Sequence, residues 1–117
     1  MRVFGEPMAF WERNMPAGMF LRSNWTATQI SCPYGDLTLE ADQNDTGDRF
    51  ATKVPLDRFV RYGLWFQRKG VSEPDRRTVV RVERQQAGFR ITLERGEIFH
   101  SRRLIVAVGI GAFCLAP

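Results

Sequence analysis

Thr78-Val79-Val80-Arg81-Val82-Glu83, Phe89-Arg90-Ile91-Thr92-Leu93, Glu97-Ile98-Phe99-His100 and Leu104-Ile105-Val106-Ala107-Val108-Gly109 decide the fold. The first two segments alternate in character, the pattern of a strand wet on one face. Gln86-Ala87-Gly88 and Arg95-Gly96 sit between the first three segments as hairpin closures. The fourth segment is apolar without interruption, which fits a strand covered on both faces of a parallel sheet. The pattern therefore predicts an antiparallel meander followed by one parallel strand.

Upstream, residues Pro55 to Lys69 read as a helix. Pro55 suits the first helical position, and Asp57 in the first turn complements the helix dipole. Leu56, Phe59, Val60, Gly63 and Gln67 fall on one face, widened by Leu64 and Phe66. Gly63 weakens such a helix by about 1 kcal/mol relative to Ala, so its expected use is close approach to a sheet. Lys69-Gly70 is the expected stop, with Gly70 left-handed. Nearer the start, Pro7 opens a short expected helix through Met8, Phe10, Trp11 and Glu12, which must end near Met15 because of Pro16. Met19 to Ser23 reads as extended or looped, Trp25 to Ile30 as ambiguous, and Cys32-Pro33-Tyr34-Gly35-Asp36 as a turn cluster. The polar, acidic stretch from Asp42 to Asp48 reads as a mobile surface loop.

The chain has 117 residues, enough for one domain with a modest core, and no linker divides it. Its 44% hydrophobic and 26% charged content is globular, not disordered. Net charge is +4, and 15 of the 17 basic residues are Arg, a bias toward planar recognition of phosphate or carboxylate. These residues alternate along strands instead of stacking on one helix face. That argues for a solvated sheet face and against a nucleic-acid partner.

Cys32 and Cys114 have no Cys or His neighbours at metal-ligand spacing, so two free thiols in a reducing cytosol are expected. There is no signal-peptide pattern, and the longest apolar run is too short to span a bilayer, so a cytoplasmic protein without membrane contact is expected. Two glycosylation patterns, Asn24-Trp25-Thr26 and Asn44-Asp45-Thr46, carry little weight without a secretion signal. His100, the single His, has no acidic or Ser neighbour at catalytic spacing. No Ser-His-Asp set, carboxylate pair or metal site can be assembled, so no catalytic residue is assigned.

A meander feeding a covered strand is half of a dinucleotide-binding architecture; the other half is a strand, a Gly-rich turn and a helix. Phe4-Gly5-Glu6-Pro7-Met8, Trp11 and the run Met15-Pro16-Ala17-Gly18-Met19-Phe20-Leu21-Arg22-Ser23 resemble the stretch after the second strand in flavin-dependent monooxygenase-like oxidoreductases. Pro55 to Gln67 resembles the helix these proteins place before their meander. Leu104 to Gly109 is similar to their strand ending in Ala-Thr-Gly, with Val108 in place of Thr. The resemblance covers nearly the whole chain.

The resemblance implies an α/β fold, here an α+β fragment. It would be a partial Rossmann-like FAD/NAD(P)-binding domain with an antiparallel meander and one parallel strand. It implies FAD as cofactor and NADPH in the full-length family, with a small-molecule substrate that the residues do not name. Met19, Arg22 and Ser23 would lie along the flavin side, with Arg22 meeting phosphate or a ring edge. Val79 would meet the adenine through its backbone. Ala107, Val108 and Gly109 would lie where the cofactor passes the strand end, the absent Cβ of Gly109 permitting close approach. Each residue also has a plain reading: Arg22 as a surface arginine, Val79 as a strand residue, Met15 and Met19 as core filler.

Neither of the family's two cofactor anchors, the Gly-x-Gly-x-x-Gly turn and the acidic residue on the ribose, is present in this sequence. Gly109-Ile110-Gly111 imitates part of the first but follows the wrong strand. The expectation is an interior piece of a larger oxidoreductase, inactive alone. Its exposed sheet edge would favour self-association. The alternative is a non-enzymatic protein-interaction module.

Overall fold

Leu56–Gly70 is the longest helix of the computed structural model, which describes residues 1–30 and 34–109. In chain order the described elements are α1 (Ala9–Asn14), β1 (Phe20–Asn24), a 3-10 turn (Trp25–Ala27), α2 (Leu39–Thr46), β2 (Lys53–Pro55), α3 (Leu56–Gly70), β3 (Val79–Gln85), β4 (Gly88–Leu93) and β5 (Ile98–Ser101). They form two compact units, Met1–Pro74 and Asp75–Pro117. One sheet pairs β1 with β2, and the other runs β3-β4-β5. Every strand pair is antiparallel. The fold is α+β.

In the first unit, α3 is capped by Pro55, which also ends β2, so the proline stands just ahead of the helix instead of at its first position. Asp57 in the first turn and Arg68 and Lys69 in the last oppose the helix dipole. Gly70 belongs to the helix. The stop is Val71, extended at φ −133° and ψ 140°, and not the left-handed glycine that the sequence suggests. Leu56, Val60, Gly63, Tyr62 and Trp65 are buried. Tyr62 and Trp65 fall outside the expected stripe because α3 packs against α1, α2 and β2 together.

The core of this unit is Leu39, Val54, Tyr62 and Trp65, with Trp25, Leu37, Phe50, Phe59 and Phe66 against it. The fully buried Tyr62 uses its hydroxyl twice: it donates to the Leu37 carbonyl at 2.8 Å and accepts from the Ile30 N–H at 3.2 Å. A buried phenol without those partners would be costly.

The segment from Asp42 to Asp48 is not the expected loop. Most of it is the second half of α2. Thr38 caps that helix by accepting from the Ala41 N–H at 3.1 Å, and Glu40 and Asp42 stand in the first turn. Left-handed Gly47 (φ 77°) closes it, its N–H bonding to the Gln43 carbonyl at 2.8 Å. Caps at both ends, and Leu39 in the core, outweigh the poor helix propensity of Asp and Asn.

Helix α1 starts later than expected, with Pro7 and left-handed Met8 (φ 63°) ahead of it, and ends at extended Met15 before Pro16, as expected. Trp11 meets Phe59 edge-on at 4.9 Å between ring centres. Gly63 serves this packing and not a sheet: a Cβ there would come within 2.7 Å of both Cγ and Cε of Met8.

In the second unit the meander has the expected order. Val82 faces Ile91, and Ile91 faces Phe99; a register shift between Val79 and Arg81 bulges β3. Ile91 and Leu93 are buried. The expected parallel strand is absent. Leu104 to Val108 pairs with nothing described, and Ile105, Val106 and Val108 are 88%, 69% and 59% exposed. A strand of a parallel sheet needs paired neighbours, and among the described residues β5 is paired with β4 alone. No Rossmann-like parallel layer forms among the described residues. Cys32, Cys114, Ile110 and Gly111 lie outside the described residues.

Gly63→Ala sets about 1 kcal/mol of helix propensity gained against about 1–3 kcal/mol for overpacking Met8. We expect a net loss of about 1 kcal/mol in denaturant unfolding. In a Met8→Ala background the same substitution should be neutral or stabilising.

Candidate functional site

The resemblance-derived residues fall into two sets. Met19 precedes β1, and its carbonyl accepts from the Leu56 N–H at 2.9 Å, joining β1 to the start of α3. Arg22 and Ser23 follow on β1, both exposed, and Arg22 has no ion pair among the described residues. Val79, half-buried, opens β3 opposite Leu93 in the second unit. Ala107, Val108 and Gly109 are exposed on the segment after β5, with Gly109 at φ 65°. The structure thus gathers Met19, Arg22 and Ser23 on one short segment and leaves the other four in the other unit.

A concavity lies on the first unit, beside the β1–β2 ribbon. It is an open groove of about 470 Å³, lined by Phe20, Arg49, Phe50, Thr52, Lys53 and Pro55 among others. Pairing of Phe20 with Pro55 brings the two ends of the lining together. Val54, between Lys53 and Pro55, points into the core and is fully buried, so its neighbours face outward. Phe20 is 58% exposed.

Charge around the groove is unevenly compensated. The Asp48 carboxylate is taken by Arg58, with Arg61 at 3.7 Å. Among the described residues Arg49 is held by neutral oxygens alone. Its Nη1 donates to the carbonyls of Gln43 at 2.8 Å and Asp48 at 2.7 Å, and its Nη2 donates to Asn44 Oδ1 at 3.2 Å. Of five guanidinium N–H groups, the Nε–H and one on Nη2 remain unengaged among the described residues. Lys53 is exposed and makes no ion pair there. The sequence reading missed Arg49, Phe50 and Lys53. Their signal, cations interleaved with an aromatic, lies between the loop expected at Asp42 to Asp48 and the helix expected from Pro55, where no role was assigned.

Behind the groove, α2 is fastened to α3 by charge. Asp45 accepts from Trp65 Nε1 at 3.0 Å and Lys69 Nζ at 2.8 Å, and the Lys69 ammonium sits 5.0 Å from the Trp65 ring centre. Lys69, then Trp65, holds the Asp45 carboxyl below its usual range. Asp42, 5% exposed, is pushed up, mainly by burial, with Asp48 and Asp45 adding to it and Arg61 and Arg68 opposing.

In the second unit, Arg77 bonds Asp75 at 2.9 and 2.5 Å and Glu97 at 3.2 Å and lies 5.3 Å from the Phe99 ring centre. Asp75, then Glu97, raises its pKa against the opposing effect of desolvation, so the pair is a permanent tie and not a proton carrier. His100 is exposed on β5 opposite Arg90. It lines a second hollow of about 230 Å³ with Gln85, Phe89, Ser101 and Arg102. Among the described residues no cluster could hold a metal ion, and no helix is long and apolar enough to cross a membrane. Comparison with family models, curated proteins and solved structures returns no match.

A carboxyl raised on folding favours the fold below its unfolded pKa of 3.8, and that advantage is lost as pH rises through the folded value. Asp42→Asn should therefore raise the urea midpoint at pH 7 and leave it near that of the parent at pH 3. Urea unfolding across that range checks the trend.

Proposed function

We propose that this chain is an interior part of the FAD-binding domain of a flavin-dependent, NAD(P)H-using oxidoreductase of monooxygenase type, inactive by itself. The observation that carries the reading is the apolar run Leu104 to Val108, which leaves a three-stranded meander with Ile105, Val106 and Val108 exposed to solvent. Exposing such a run is unfavourable by roughly 25 cal/mol per Å² of apolar surface. A strand supplied by a Gly-rich βαβ segment would give this run a pairing partner.

The resemblance of Met15 to Ser23 and of Pro55 to Gln67 supports the same reading. Arg22 would then meet phosphate or an electron-rich ring edge, and Ser23 would donate a hydrogen bond beside Met19. Val79 would meet adenine, with Ala107, Val108 and Gly109 along the cofactor's path. FAD would supply the redox chemistry and NADPH the electrons, while the chain positions the cofactor and excludes water. A second reading, a protein-interaction module, is favoured by the 59%, 42% and 43% exposure of Val80, Val82 and Ile98.

Sequencing the DNA that flanks the coding segment tests the first reading. It expects an in-frame strand, Gly-x-Gly-x-x-Gly turn and helix upstream, and stoichiometric FAD on the longer product. It also expects no tight FAD binding by the 117-residue chain in a flavin fluorescence titration. An unrelated gene upstream, or tight binding by the short chain, contradicts it.

A further inference from the structure

We infer that the groove beside the β1–β2 ribbon binds an aromatic phosphate monoester, with Arg49 and Lys53 on the phosphate and Phe20 and Phe50 on the ring. The inference stands on the groove alone and does not depend on the flavin reading.

Both cations line the same concavity, and no carboxylate is among its lining residues. Arg49 is pre-oriented by three bonds to neutral oxygens, which fix the guanidinium without cancelling its charge. The carboxylate nearest in sequence, Asp48, is spent on Arg58 and Arg61. The two free N–H groups on Arg49 match a phosphate's acceptor geometry, and Lys53 adds a mobile point charge.

Neither cation alone selects an aromatic ligand. The selection comes from Phe20, which keeps 58% of its surface in water although it stands on a paired strand, and from half-buried Phe50 on the groove wall. An aromatic ring placed edge-on or offset against these faces removes apolar surface from water while its phosphate reaches the cations. A ring without charge would lose the cations, and a phosphate without a ring would lose the phenylalanines.

The test titrates the 117-residue chain with 1-naphthyl phosphate, 1-naphthol and inorganic phosphate, following ligand fluorescence and, for phosphate, competition. Saturable binding of the ester is expected, with the other two at least about tenfold weaker, as a charge-assisted contact implies. Lys53→Ala, at an exposed position, should weaken the ester about tenfold and leave 1-naphthol unchanged. Near-UV circular dichroism of the tryptophans verifies that the variant is folded. Added salt should weaken ester binding to the parent chain, a readout that needs no variant. Three results each overturn the inference: no saturation by the ester, equal binding of ester and naphthol, or ester binding insensitive to both Lys53→Ala and salt.

Discussion

The Tyr62 hydroxyl is the point on which the first unit turns. A phenol buried this completely has to find partners, and it finds the Leu37 carbonyl and the Ile30 N–H. Those two bonds hold the segments leading into and out of residues 31–33 against α3. The chain entering α2 is fixed by the same contact, and α2 is then fastened to α3 by Asp45 with Trp65 and Lys69. Once α2 is placed, its last turn supplies the carbonyl and amide oxygens that orient Arg49. The groove is in this sense a consequence of a core hydrogen bond. Its charged wall is set by the end of a helix packed on Tyr62, and its aromatic wall by a ribbon whose inner residue, Val54, belongs to the same core.

The second unit obeys a different constraint. Its three strands satisfy one another, but Leu104 to Val108 has no pairing partner among the described residues. An apolar segment cannot be buried until its N–H and C=O groups are paired. Ile105 to Val108 therefore stay exposed despite their composition, and the functional reading follows from what kind of neighbour would satisfy them.

The meander was legible in the sequence because period-two alternation and two turn signals agree, and the observed strands fall on the expected segments. Helix α3 was legible for a similar reason: its apolar stripe and terminal charges point the same way. Helix α2 was not, because Asp, Asn and Gln dominate its composition and the caps, Thr38 and Gly47, are single residues. The apolar run after β5 was misjudged because hydrophobicity reports what a segment would bury, not whether a partner is there. The groove was invisible for want of proximity: Phe20 and Pro55 meet only through strand pairing. Arg49 looks like any other arginine until the oxygens around it are seen to be neutral.

Amide hydrogen exchange read by mass spectrometry tests the central claim, that Leu104 to Val108 is an apolar run without a pairing partner. In the 117-residue chain these amides should exchange at nearly unprotected rates, while Ile91 to Leu93 in β4 are slowed by orders of magnitude. Protection of these amides matching that of β4 would contradict the account.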